Sequence, residues 1–352
     1  MTVLTLTPNP SLDRTYEIPG LGRGAVLRAA GDRVDPGGKG VNVSRAVAAA
    51  GHRTVAVLPL GGPEGASLSR LLGELGIAVA GVPVRGSTRV NVALAEPDGT
   101  LTKVNAAGPE VSEHESRALL ETVAVEAARA RSGERGATWL ACCGSLPRGL
   151  ADEWYAALVA RAREAGVRVA LDSSGPALAA ALAERPDVVK PNAEELAEVV
   201  GRPLDTVGDA VKAAEEVRAA GAGAVLASLG ATGQLLVNAD GARFASAPVE
   251  VVRSDVGAGD ASLAGFLTVL ASGGTGSEAL ASAVAHGAAA VQLPGSQMPV
   301  PGDLRPEAVT VTTDVPVDLP LALPPAPASA PVPSGPTPAL PHPLSHNANG
   351  VV

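Results

Sequence analysis

Seven residues of this chain, Ser254-Asp255-Val256-Gly257-Ala258-Gly259-Asp260, could supply both an anion site and a base. They lie between an alternating, strand-like run at 248–252 and an apolar helical run at 261–271. A turn of Gly257, Ala258 and Gly259 lets backbone N–H groups come close to a ligand, and the start of a helix leaves donors unpaired and favours negative charge. Such a turn can hold a phosphate. Asp260 is expected at the first helical position, where the same field favours its carboxylate, so it could take a proton from a hydroxyl attacking that phosphate. A bare Gly-x-Gly-Asp fits equally an Asp that merely caps its helix behind a Gly-rich loop. The other stretches must decide.

Asp35-Pro36-Gly37-Gly38-Lys39-Gly40-Val41-Asn42 opens a second helix, with Val43, Ala46, Val47 and Ala50 on one face and Gly51 as its stop. Its glycines leave room for a substrate against the backbone, and Lys39 and Asn42 offer donors to substrate oxygens. A tightly packed turn would explain the glycines but not the lysine. A Walker A loop is excluded, because Gly38-Lys39 is followed by Gly40 and lacks the spacing. Asp13, in the turn-rich loop after a first strand, could bind a polyol or stabilise its own turn. Arg89 alternates with apolar Val90 and could fork onto a phosphate or simply face solvent. Asn192 with Glu195 is a capping-box pattern, or else Glu195 organises water around magnesium. The turn Gly230-Ala231-Thr232-Gly233 has no bulky side chain to obstruct a nucleotide.

These residues need a scaffold, and the alternation of apolar strand and amphipathic helix supplies it. Strands are expected at 3–7, 54–60, 78–84, 138–143, 167–171 and 225–229, with helices at 66–75, 153–165, 176–183 and 277–291. A capping box at Ser112-Glu113-His114-Glu115 opens a helix to about Arg131. This is the rhythm of a parallel sheet with helices on both faces. Short strands at 15–18 and 26–29, and a hairpin of 89–94 with 101–104 around Pro97-Asp98-Gly99, would form a lid. Beyond about Leu304 periodicity stops and proline recurs, which predicts a Pro/Ala-rich disordered tail over 306–352. Its His342 and His346 make no credible metal site.

Of the 352 residues 46% are hydrophobic, enough for a sizeable core, while aromatics are only 2% and the net charge is -9. Few stacking platforms and a negative charge argue against nucleic acid. No basic leader or bilayer-length apolar run is visible, so no membrane partner and a cytoplasmic location are expected. Cys142 and Cys143 are adjacent in an apolar strand, against a disulfide framework or zinc site. Of the four lysines, Lys39, Lys103 and Lys190 fall in the stretches above.

Together these stretches resemble the phosphofructokinase B group of the ribokinase-like sugar kinases, and within it the 1-phosphofructokinases most of all. The resemblance covers residues 1 to about 305. It rests on Val256-Gly257-Ala258-Gly259-Asp260, Gly37-Gly38-Lys39-Gly40-Val41-Asn42, Thr88-Arg89-Val90-Asn91, Gly144-Ser145-Leu146-Pro147, Lys190-Pro191-Asn192 with Glu195, and Ser228-Leu229-Gly230 with Gly233. The resemblance implies an α/β fold, a three-layer α/β/α sandwich with a small β lid from about 13–34 and 84–106. It further implies ATP as phosphoryl donor, Mg2+ met by Glu195 through water, and a homodimer joined through the lids. Asp260 would be the base, with Gly257, Ala258 and Gly259 as the anion hole. Asp13, Gly37, Gly38, Asn42 and Ser145 would hold the sugar, with Arg89, Lys39, Arg28 or Lys103 on its phosphate. Lys190, Asn192, Ser228, Gly230 and Gly233 would border ATP.

The implied reaction converts fructose 1-phosphate to fructose 1,6-bisphosphate. Tagatose-6-phosphate kinase and 6-phosphofructokinase share nearly all of these motifs. Val26 stands where some of the latter carry lysine. One departure is Ser254-Asp255, which puts an acid where relatives commonly have threonine and leaves monovalent-cation dependence open. It also motivates an alternative of another class, an inactive sugar-phosphate sensor.

Overall fold

The central strands are apolar at nearly every position because both of their faces are covered. The computed structural model describes residues 2–133 and 139–322. In chain order its elements are β1 (Thr2–Leu6), β2 (Ser11–Glu17), β3 (Gly31–Gly37), α1 (Lys39–Ala49), β4 (Arg53–Leu60), α2 (Gly62–Glu74), β5 (Ala78–Pro83), β6 (Arg89–Ala95), β7 (Leu101–Val104) and α3 (Glu113–Gly133). There follow β8 (Trp139–Cys143), α4 (Trp154–Glu164), β9 (Arg168–Asp172), α5 (Gly175–Leu182), β10 (Val188–Val189), α6 (Ala193–Val200), α7 (Val207–Ala219), β11 (Ala224–Ser228), β12 (Gln234–Asn238), β13 (Gly241–Ser246), α8 (Ala258–Ala271), α9 (Gly276–Ala290) and β14 (Thr310–Thr312).

Among the described residues, ten strands form one sheet in the order β14-β13-β12-β11-β10-β9-β8-β1-β4-β5. It is parallel from β11 through β5 and antiparallel from β11 to β14. Leu140 and Cys142 of β8 join a core with α3, α4 and α7, while Trp139, Ala141 and Cys143 face α1, α8 and α9. This is the expected three-layer α/β/α sandwich. A second sheet, in the order β3-β2-β6-β7, forms the lid, beginning just beyond the end of β1 and closing on the start of α1.

The lid differs from expectation in one hairpin. Residues 26–29 form no strand; Val26 is 86% exposed in the connection, and β2 pairs instead with β3, from Ser11 opposite Gly37 to Glu17 opposite Gly31. Gly20, Gly22 and Gly24 interrupt that connection, so the ladder resumes only after them. The second hairpin, β6 with β7, is as expected.

The run at 248–252 is likewise no strand. Val251 and Val252 are 56% and 70% exposed, and with no neighbouring strand to accept the ladder the alternation has no consequence. The edge that might have taken it is occupied by β14, which pairs with Phe244–Ser246 of β13. The tail boundary must therefore move. Residues 306–322 belong to the fold: Val309 and Val311 pack on one core and Val315 and Leu321 on the other, while the N–H groups of Val207 and Gly208 donate to Leu319 and Val317 carbonyls at 2.9 Å. Periodicity is absent here because the chain is a strap whose contacts are spaced by prolines. Residues 323–352, including His342 and His346, lie outside the described residues.

A chain ended after residue 304 is therefore expected to be about 2 kcal/mol or more less stable to urea than one ended after 322, since burying even one Val or Leu contributes about 1.5–3 kcal/mol. Equal stabilities would show that the strap adds nothing.

Candidate active site

Helix α8 starts at Ala258, not at Asp260, with Gly257 as its N-cap at φ 80°, a left-handed conformation that glycine tolerates. Asp260 is thus the third helical residue. It is no cap, which removes the simplest alternative to a catalytic role: it makes no cap hydrogen bond, and its Oδ2 accepts from Asn42 Nδ2 at 2.9 Å across 218 residues of chain. The side chain is 7% exposed. Burial first, then the negative charge of Asp172, push its pKa up to about 6, against the pull of Asn42, Lys190 and Lys39.

Around the turn, Ala258 N–H makes a long 3.4 Å bond to Asp255 O, and among the described residues the N–H groups of Gly257, Gly259 and Asp260 find no carbonyl. These are the unpaired donors that a helix start offers an anion. A Cβ on Gly259 would come within 3.2 Å of Lys190 Nζ, so the glycine leaves room for an ammonium beside the turn.

Behind the turn lies a charge cluster centred on Asp172, which sequence reasoning missed. Asp172 sits at the end of β9, fully buried, with Lys39 Nζ at 2.7 Å from Oδ1 and Lys190 Nζ at 2.8 Å from Oδ2. Lys39 also reaches Glu195 Oε1 at 3.3 Å. Burial alone would raise the Asp172 pKa, but the two lysines outweigh it and hold the carboxyl below its usual range. Burial alone would lower both lysines, and Asp172 holds both above their usual value. Glu195 closes the α6 capping box, its Oε2 accepting from Asn192 N at 2.9 Å while Asn192 Oδ1 accepts from Glu195 N at 2.8 Å. Structural and site-facing roles coincide in this residue.

The glycines around Lys39 have packing reasons. A Cβ on Gly38 would meet Thr7 Cγ2 at 2.8 Å, one on Gly40 would meet Thr7 Oγ1 at 2.5 Å, and one on Gly37 would fall 2.3 Å from the Asp13 carboxylate. Asp13 Oδ1 in turn accepts from Ser11 Oγ at 2.7 Å and Asn91 Nδ2 at 2.9 Å. Arg89 spans two loops, its Nη1 donating to Ala106 O and its Nη2 to Asn9 O, with Nε buried and unpartnered. Asn192 and Ser228 form an isolated bridge, so the two loops assigned to ATP are neighbours. Gly230 and Gly233 both adopt positive φ there.

Lys39, Asn42, Lys190, Glu195 and Asp260 are thus brought together, as are Asp13 and Gly37. Lys103, Ser145 and Arg28 are exposed, and their side chains make no hydrogen bond or ion pair among the described residues. Asp255 is also exposed. Two residues that the motifs did not flag, Asp172 and Arg45, contact the cluster.

A buried carboxyl beside a helix start with unpaired N–H groups suits transfer of a phosphoryl group to a hydroxyl, and the sandwich around it is that of the ribokinase-like kinases. The ribokinase of Arabidopsis thaliana, complexed with ribose and ATP, shares this fold with a TM-score of 0.64 at 22% identity, over 86% of this chain and 96% of that one. The chain belongs to the pfkB family of carbohydrate kinases, whose model matches residues 10–303. It is 40% identical over 318 residues to the 1-phosphofructokinase of Rhodobacter capsulatus, covering 89% of this chain and 97% of that one. It is 36% identical to the ATP-dependent 6-phosphofructokinase isozyme 2 of Escherichia coli, covering 84% and 94%. The phosphofructokinase-2 of Escherichia coli in complex with potassium is similar in structure, with a TM-score of 0.80 and 34% identity over 86% of this chain and 96% of that one. Among the described residues, no helix is long and apolar enough to cross a membrane.

Proposed function

We propose that this carbohydrate kinase transfers the γ-phosphoryl group of ATP to the free primary hydroxyl of fructose 1-phosphate, giving fructose 1,6-bisphosphate and ADP. The observation that carries the choice of sugar phosphate is the 40% identity over 97% of the Rhodobacter capsulatus 1-phosphofructokinase. Asp260 takes the hydroxyl proton as the new P–O bond forms and the bond to the ADP oxygen breaks. Gly257, Ala258 and Gly259 face the transferring phosphoryl oxygens, and Lys190 adds positive charge beside them. Asp13, Gly37, Gly38, Asn42 and Ser145 hold the sugar, while Arg89, Lys39 and Lys103 serve its phosphate. Asn192, Ser228, Gly230 and Gly233 border the nucleotide.

Among the described residues no group of three or more His, Cys, Asp or Glu is placed to hold a metal. A lone carboxylate, Glu195, fits Mg2+ carried on the triphosphate and reached through water. Such an ion supplies charge neutralisation between phosphate oxygens. Asp255 is exposed, so its charge is screened by solvent and gives little support to an inactive sensor.

A dimer through the lids fits the open edges of β3 and β7 and the apolar lining, Leu12, Val34, Leu71 and Val90, of a cavity of about 370 Å³ between lid and α2. A cytoplasmic location fits the need for ATP.

The test is a steady-state comparison of fructose 1-phosphate, fructose 6-phosphate and tagatose 6-phosphate with ATP, with and without added KCl. The highest kcat/KM is expected for fructose 1-phosphate. Preference for a 6-phosphate would overturn the choice of substrate, and binding without ADP formation would overturn catalysis.

A further inference from the structure

Arg45 lies one helical turn beyond Asn42 on α1, partly buried, and is no part of the motifs that define the family resemblance. Its Nη1 donates to Asn42 Oδ1 at 3.0 Å and to Pro36 O of β3 at 3.2 Å, and Ser296 Oγ lies 3.4 Å from it. A guanidinium can only donate, so the atom that Asn42 turns toward it must be the carbonyl oxygen. The amide NH2 is thereby turned to Asp260, where it bonds Oδ2 at 2.9 Å. Among the described residues this leaves Asp260 Oδ1 free of protein hydrogen bonds.

We infer that Arg45 is a positioning residue, which locks the Asn42 amide so that Asp260 Oδ2 is kept as an acceptor and Oδ1 alone receives the substrate proton. Without the lock the amide can turn over. Its carbonyl would then face the carboxylate and oppose ionisation, and the proton could settle on Oδ2, away from the hydroxyl. The other charged and titratable groups around Asp260 are Lys39 on α1, Cys143 at the end of β8, Asp172 at the end of β9 and Lys190 after β10. None of these bonds Asn42, so none can set the amide's orientation.

The inference rests on Asp260 being the base, and the first measurement stands apart from activity. In ligand-free protein, the carboxyl carbon of Asp260 followed by NMR is expected to titrate near pH 6 in the wild type. In Arg45→Met it should titrate about 1 pH unit higher. In turnover, the acid limb of kcat should move up by a similar amount and kcat at its plateau should fall about tenfold or more. Arg45→Lys, still a donor-only group, should restore most of both. In an Asn42→Ala background, Arg45→Met should change neither further. If the Met variant fails to fold, Arg45→Gln carries the same test, since its amide can present either atom to Asn42. An unchanged Asp260 titration in the variant that folds, or full additivity with Asn42→Ala, would overturn the role of Arg45. A shifted titration in a protein without turnover would instead count against the proposed reaction.

Discussion

Replacing Asp260 with Asn is expected to lower kcat by about 10²–10⁴-fold while leaving the affinities for sugar phosphate and ATP within a few-fold. The amide matches the carboxylate in shape, and its oxygen still accepts from Asn42, so the contact that spans the two motifs survives. What it loses is the capacity to take a proton. Helix capping gives no competing account, because Gly257 caps α8 through its backbone and Asp260 lies three residues further on. Stability should change little, since burial already opposes ionisation of this carboxyl, as its pKa near 6 records. Single-turnover mixing with ATP and sugar phosphate separates the chemical step from binding. Turnover close to wild type would remove the base from the reaction and leave only electrostatic positioning.

The two halves of this site were legible in the sequence as separate helix starts, Gly37 to Asn42 and Gly257 to Asp260, because glycine clusters before apolar helices leave a local signature. Their meeting was not. The bond between Asn42 and Asp260 depends on α1 and α8 packing side by side on one face of the sheet, which no local pattern encodes. Asp172 was hidden for a similar reason: an Asp before Ser173-Ser174 at a strand end reads as a turn residue, and only the sheet order brings Lys39 and Lys190 to it. Arg45 reads as an exposed helix residue until the approach of Ser296 and Pro36 is known.

Some omissions had a usable signal. Asp240-Gly241 marks the β12–β13 hairpin, whose two-residue turn is Ala239-Asp240 with Gly241 opposite Asn238 at φ 99°, and Thr206 with Asp209 is the capping box that opens α7. The Val-rich run at 248–252 misled because alternation describes a strand only when a neighbour supplies the ladder.

The largest stability effect is expected at Asp172. Replacing it with Asn keeps the shape but leaves Lys190, 5% exposed, without its counter-charge, and breaking a buried pair by removing one partner costs about 3–5 kcal/mol. Urea unfolding at pH 7 should show a loss of that size. The loss should shrink as pH rises toward 9. In the variant, burial without Asp172 depresses the Lys190 pKa in the folded state, so the unfolded chain binds more protons and stability climbs with pH. Asp172 itself acts in the opposite window: its depressed folded pKa gives stability that is present above about pH 4 and lost as pH falls through that depressed value. The same change should also mark catalysis. Asp172 is the second cause, after burial, of the raised Asp260 pKa, and the two lysines it releases favour the Asp260 carboxylate. The acid limb of kcat should therefore move below pH 6, opposite in direction to the shift expected on replacing Arg45. A variant with wild-type stability would show that Lys39 and Lys190 do not depend on Asp172, and an acid limb that stays near pH 6 or rises would show that the cluster does not set the ionisation of the base.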